Sequence, residues 1–138
     1  THFRSRICSN TQRIAEFLAA HPVVDWVEYA GLEGNPSKPL VDKYMGGRAS
    51  GILSFGVKGG VEAGARFIDA LQLFVRLVNI GDAKSLACHP ASTTHRQLSV
   101  EEQRKAGVRP EMVRLSIGIE HVDDLIEDLE QALAAARQ

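Results

Sequence analysis

MVRLSIGI, running from Met112 to Ile119, alternates apolar and polar side chains more cleanly than any other part of the chain. A strand projects successive side chains to opposite faces, so Val113, Leu115, Ile117 and Ile119 are expected to point into a core. Arg114, Ser116 and Gly118 then share the other face. An arginine beside a serine and a glycine leaves room over the sheet for a small anion. A guanidinium grips a carboxylate or phosphate through two parallel N–H bonds, which a lysine does not do. The ordinary alternative is an arginine paired to a carboxylate of a neighbouring helix.

Working outward from this strand, helix and strand periods alternate along the chain. Downstream, Val122, Leu125, Ile126, Leu129, Leu133 and Ala136 form an amphipathic stripe, and the acidic residues from Glu120 to Glu130 read as its solvated face. Upstream, Ser99 and Glu102 have capping-box spacing before a short helix that Gly107 closes. Ser85–Cys88 and Val75–Ile80 read as two short strands around a Gly81-Asp82 turn. A helix after Gly59-Gly60 carries Val61, Ala65, Ile68 and Leu71 on one stripe, with Phe67, Ala70 and Phe74 beside it, and is expected to be buried on much of its circumference. Gly51–Lys58 alternates with Leu53, Phe55 and Val57 inward. Leu40–Met45 reads as a short helix ending at Gly46-Gly47. Val23–Ala30 reads as a strand with Val23, Val27 and Tyr29 on one face and Val24 and Trp26 on the other. Phe3, Ile7, Ile14 and Leu18 mark an opening helix stopped at His21-Pro22. Strands interleaved with helices predict an α/β (α+β) architecture, helices packed on a mostly antiparallel sheet.

Composition sets the outer limits. At 138 residues the chain fits one domain, and its 44% hydrophobic content suffices for a core. A net charge of −1 gives no electrostatic support to a nucleic-acid partner or a membrane surface. No stretch approaches the ~18 apolar residues of a membrane helix. The opening THFRSRICSN lacks the apolar segment of a signal peptide and lacks an initiator Met, so residue 1 is not expected to be a native start. Cys8 and Cys88 are expected to be free thiols in a reducing, cytoplasmic setting. The polar run His89–His95 matches no zinc spacing and reads as a hydroxyl-rich loop that satisfies its own backbone. Cys88 in an apolar strand reads as packing and not as a nucleophile. Gly56–Gly60 lacks the spacing of a phosphate loop and reads as a strand-to-helix turn.

Taken together, LVNIGDAKSLACHPASTTHRQLSVEEQRKAGV (Leu77–Val108) and MVRLSIGIEHVDDLIEDLEQAL (Met112–Leu133) closely resemble the C-terminal end of the Cys/Met-metabolism family of pyridoxal-phosphate enzymes. AEFLAAHPVVDWVEYAGLE (Ala15–Glu33) and GILSFGVKGG (Gly51–Gly60) fit the same pattern, so the resemblance covers nearly the whole chain. NIGDAKSL and HPASTTH resemble the O-acetylhomoserine sulfhydrylase branch most; methionine γ-lyase and cystathionine γ-synthase share the fold. The resemblance implies a type-I-fold enzyme whose smaller C-terminal domain is residues 1–138. Residues 1–20 would be the far part of the helix joining it to an N-terminal cofactor domain, and part of their stripe would pack on that domain. It further implies that Arg114 binds the substrate α-carboxylate, with Asn79 at the position of a family serine and Thr94 nearby. The cofactor lysine, phosphate-binding glycines and pyridinium-pairing Asp belong to the N-terminal domain, and Lys38, Lys43, Lys58, Lys84 and Lys105 match no cofactor motif. The chain is therefore expected to hold no pyridoxal phosphate and to be inactive alone. Its expected partners are an amino-acid substrate and the rest of its own enzyme, a homotetramer when complete. A non-catalytic amino-acid-binding module is the alternative of a different class.

Overall fold

The computed structural model describes residues 2–137. Its elements in chain order are α1 (His2–Ala20), β1 (Val24–Glu28), α2 (Lys38–Met45), β2 (Ile52–Val57), α3 (Gly60–Ala70), β3 (Val75–Arg76), β4 (Leu86–Cys88), α4 (Val100–Lys105), β5 (Met112–Ser116) and α5 (Val122–Ala136). A 3-10 turn at Pro90–Ser92 follows β4. One five-stranded sheet has the order β1-β2-β5-β4-β3. Three of its four pairings are antiparallel, and β3 runs parallel to β4. The α/β class and the mostly antiparallel sheet are as the sequence predicts.

The strand Met112–Ser116 sits at the centre of the sheet because both of its edges are paired, by β2 and β4. Val113, Leu115 and Ile117 are fully buried beside Leu53, Phe55 and Val57 of β2. Helices α1, α3 and α5 cover this inner face through Ile14 and Leu18, Phe67, and Leu125, Leu129 and Leu133. Phe67 meets Phe55 edge-on, with ring centroids 5.4 Å apart, which ties α3 to the sheet. Ile119 lies past the end of β5 and is exposed, so the inward run stops at Ile117.

Other departures have local causes. In β1 the pairing shifts between Val24 and Trp26, so Val24 opposite Val57 and Val27 opposite Phe55 both face the core. The bulge defeats simple alternation, which puts Val24 on the outer face beside Trp26. Trp26 does face outward, over Gly56, where an added Cβ would collide with the indole. The buried stripe of α3 is Ala63, Gly64, Phe67 and Ile68; Val61 is exposed, and the helix is covered on one side only. Val75 pairs with Leu86 and Arg76 with Ala87 in parallel, so there is no hairpin around Gly81-Asp82. Residues 77–84 are irregular instead, and none of them is buried. The α1 stripe finds its partners within this chain, since Ile7, Ile14 and Leu18 are buried and only Phe3 stays out, 47% exposed.

The acidic face of α5 contains an exception. Asp128 is buried, and its carboxylate accepts hydrogen bonds from the backbone N–H groups of Gln72 (2.8 Å), Leu73 (2.9 Å) and Phe74 (3.0 Å). It also accepts one from Gln131 Nε2 at 3.0 Å. Asp128 thereby fixes the turn that leaves α3 and enters β3. The predicted capping box of α4 is present: Ser99 Oγ accepts from Glu102 N while the Glu102 carboxylate accepts from Ser99 N. Among the described residues no helix is long and apolar enough to cross a membrane.

Candidate functional site

Helices α1, α3 and α5 pack on the inner face of the sheet, and Arg114 stands near the middle of the outer one. Strand register places Ser54 on one side of Arg114 and Cys88 on the other, with Glu28 beyond Ser54, so Glu28, Ser54, Arg114 and Cys88 form one row across four strands. Arg114 is half-buried and makes no ion pair with any described residue. That removes the helix-paired alternative. Its guanidinium donates a long hydrogen bond of 3.5 Å from an Nη atom to the Asn79 carbonyl and lies against the Cys88 thiol on its other side. The remaining N–H groups of the fork are free to meet an anion in two-point fashion.

The rest of the outer face has little room. Gly118 lies directly under the backbone of Ala83 and Lys84, where any side chain would collide. Ser116 is buried, and its Oγ accepts from Gly81 N at 3.3 Å. The segment Asn79–Ser85 thus lies across Ser116 and Gly118 and leaves Arg114 partly exposed. The expected bare strand face is narrower than alternation suggests.

Asn79 reaches Arg114 through its backbone; its side-chain Oδ1 accepts from Ile80 N at 2.9 Å. Thr94 is exposed, and its hydroxyl bonds to His95 Nδ1 at 2.8 Å, with no hydrogen bond to Arg114 or Asn79. Arg114 and Asn79 are therefore brought together, while the Thr94 hydroxyl is engaged with His95. Cys88 is buried beside the guanidinium; burial pushes its thiol pKa up, and the nearby Arg114 charge offsets this in part. The thiol stays protonated at neutral pH, which fits packing and not nucleophilic attack. A cleft of about 470 Å³ borders the row at Cys88 and is lined by Leu77, Val78, His89, Ser92 and Thr93 among others. A larger groove of about 720 Å³ runs between α1 and residues 29–49, away from these residues.

His89 is buried at the end of β4. Its Nε2 lies 2.7 Å from the Pro110 carbonyl, which only accepts, so Nε2 donates there, and Nδ1 lies 2.9 Å from Ser92 Oγ. It holds the 3-10 turn against the loop before β5. None of the five lysines sits in a cleft with Arg114. Lys38 pairs with Asp42 and Glu33, Lys43 lies over the Tyr44 ring, and Lys58, Lys84 and Lys105 are exposed. No group of three or more His, Cys, Asp or Glu side chains among the described residues is arranged to hold a metal ion.

Residues 4–134 match the family of Cys/Met metabolism PLP-dependent enzymes. The chain belongs to that family. It is 53% identical over 94% of its length to O-acetyl-L-homoserine sulfhydrylase 1 of Thermus thermophilus and 52% identical over 93% to O-acetyl-L-homoserine sulfhydrylase of Leptospira meyeri. It is 47% identical over 95% to the L-methionine gamma-lyase of Pseudomonas putida. A crystal structure from Campylobacter jejuni, described as a proposed O-acetylhomoserine (thiol)-lyase with an N'-pyridoxyl-lysine-5'-monophosphate, superposes with a TM-score of 0.88 over 96% of this chain at 46% identity. The chain spans about a third of the length of these relatives: 31%, 29% and 33% of the three curated proteins and 31% of the solved chain. This family member therefore shares its fold with about a third of a larger protein of the family.

Several residues of the site's surroundings escape a reading of the sequence. Glu120 accepts from Ser85 N at 2.7 Å and from Ser85 Oγ at 2.9 Å, so it is a tertiary anchor and no part of a solvated face. Asn10 is buried on α1 and donates to the carbonyls of Gly118 (3.2 Å) and Glu120 (2.9 Å). The available signal was a lone amide on the apolar stripe of a helix, where a buried polar group requires a partner.

Proposed function

We propose that this chain is the substrate-carboxylate-binding part of a pyridoxal-phosphate-dependent O-acetylhomoserine sulfhydrylase. The reaction replaces the acetate of O-acetyl-L-homoserine with sulfide or methanethiol, giving homocysteine or methionine plus acetate. The observation that carries this reading is an arginine free of ion pairs, open on the outer sheet face, in a chain that shares about half its residues with two sulfhydrylases. When bound, the cofactor supplies an electron sink for the γ-replacement. No lysine of this chain stands beside Arg114, which supports the reading that residues outside the chain hold the cofactor.

The residues of this chain bind and orient. Arg114 takes the α-carboxylate with two N–H bonds while its third edge stays on the Asn79 carbonyl. Fixing one end of the amino acid leaves its γ-carbon in a defined place for exchange, which contributes through lost rotational freedom. The identity to a methionine γ-lyase favours a second reading, γ-elimination from methionine at the same carboxylate site. Steady-state assays of the full-length protein separate the two. O-acetylhomoserine with sulfide is expected to be the fastest pair; faster turnover of methionine alone, or of O-succinylhomoserine with cysteine, refutes the sulfhydrylase assignment.

A further inference from the structure

The segment that meets Arg114 has no buried side chain of its own between residues 77 and 84. Apolar packing therefore cannot fix it, and hydrogen bonds must. Gly81 N donates to Ser116 Oγ at 3.3 Å, and Ile119 N donates to the Ala83 carbonyl at 2.9 Å. The strongest set lies at the segment's end. Ser85 is fully buried, and both its N–H and its hydroxyl donate to the Glu120 carboxylate, while its Oγ accepts from Gly118 N at 2.8 Å. Asn10 of α1 holds the Gly118 and Glu120 carbonyls from behind. The chain of contacts runs from α1 through Glu120 and Ser85 to the Asn79 carbonyl and Arg114.

We propose that Glu120 is a positioning residue for Arg114: its two bonds to Ser85 pin the Asn79–Ser85 segment on the sheet, and the pinned Asn79 carbonyl sets the angle at which the guanidinium faces a carboxylate. The proposal rests on the reading of Arg114 as the carboxylate-binding residue. Without the clamp the segment lifts, its carbonyl leaves the guanidinium, and Arg114 samples rotamers that meet the carboxylate through one bond or none. Charge is untouched, so the loss is one of geometry.

The test uses the full-length protein with pyridoxal phosphate and two non-reacting probes, L-norvaline and L-norvalinamide, which differ only in the carboxylate. Inhibition constants are measured against O-acetylhomoserine. Glu120→Ala is expected to weaken norvaline by about 10- to 100-fold, the usual cost of a small misplacement, and to leave norvalinamide unchanged. Arg114→Ala is expected to lose the preference for the carboxylate, and the double variant to lose no more than Arg114→Ala alone. Equal weakening of both probes by Glu120→Ala, or additive losses in the double variant, overturns the positioning role. Retained preference in Arg114→Ala overturns the carboxylate site itself, which keeps the two failures distinct. Glu120→Gln keeps the volume but sets an NH2 group against the Ser85 donors, and it replaces the alanine variant if that variant does not fold. Failure of both to fold makes Glu120 a stability residue and likewise overturns the proposal.

Discussion

Replacing Asp128 with alanine should cost this domain about 2–6 kcal/mol. Phe74 N lies in a buried setting, so losing its acceptor leaves an unsatisfied donor worth about 1–3 kcal/mol. Gln72 and Leu73 are exposed, so their N–H groups turn to water and each loses only the net worth of a bond, about 0.5–1.5 kcal/mol. Gln131 Nε2 keeps its second partner, the Ala70 carbonyl at 2.7 Å, and adds little. For 138 residues the unfolding entropy near 60 °C is about 0.29 kcal/mol/K, so the melting temperature should fall by about 7–21 °C. Thermal denaturation followed by circular dichroism measures this on residues 1–138, whose helix stripes are buried within the chain. Glu127→Ala, exposed on the same helix, is the control and should stay within about 0.5 kcal/mol. Amide exchange at Gln72, Leu73 and Phe74 should accelerate in the Asp128 variant before the sheet amides do. A melting temperature within about 2 °C of the parent would refute the anchoring role argued from these distances.

Three further outcomes follow from the same geometry. On the proposed reading Arg114→Ala in the full-length enzyme removes two charge-assisted bonds to the carboxylate, about 1.5–3 kcal/mol each, so kcat/KM for O-acetylhomoserine should fall by about 10²–10⁴-fold with the cofactor absorbance intact. Arg114→Lys should recover only a minor part, because the planar fork is lost; near-normal kcat/KM in the alanine variant removes Arg114 from the site. Glu102 is held below its usual value of 4.5 by the Ser99 hydroxyl and then the Ser99 N–H, so the capping box stabilises above the unfolded value and is lost as pH falls through the lowered folded one. Exchange of the Ser99 and Glu102 amides should therefore quicken below about pH 4.5, and pH-independent exchange down to pH 3 after correction for intrinsic rates argues against it. Cys88, buried and with its pKa raised, should react with iodoacetamide at pH 7.5 at least about tenfold more slowly than the same cysteine in denaturant; equal rates would show that the row beside Arg114 is open to solvent.

Periodicity alone located most of the elements here, because an apolar stripe or alternation is a local consequence of 3.6- and 2-residue geometry. It also marked Arg114 as the charged residue on the open face of a central strand. Motif likeness then supplied the family, the carboxylate and the cofactor, none of which follows from spacing. What periodicity misread has one common cause. The bulge beside Val24 and the parallel pairing of Val75 with Leu86 depend on the neighbouring strand, whose position no local window contains. Asp128 and Glu120 look like two more acidic residues near a helix N-terminus, yet their partners lie 54–56 and 35 positions away along the chain. A buried carboxylate is tolerable only where backbone donors converge on it, and that convergence exists only once α5 has packed against the turn after α3 and the Ser85 backbone has closed over Gly118. Hydrophobic burial is patterned residue by residue, whereas hydrogen-bond satisfaction of a buried charge is a property of the assembled surfaces.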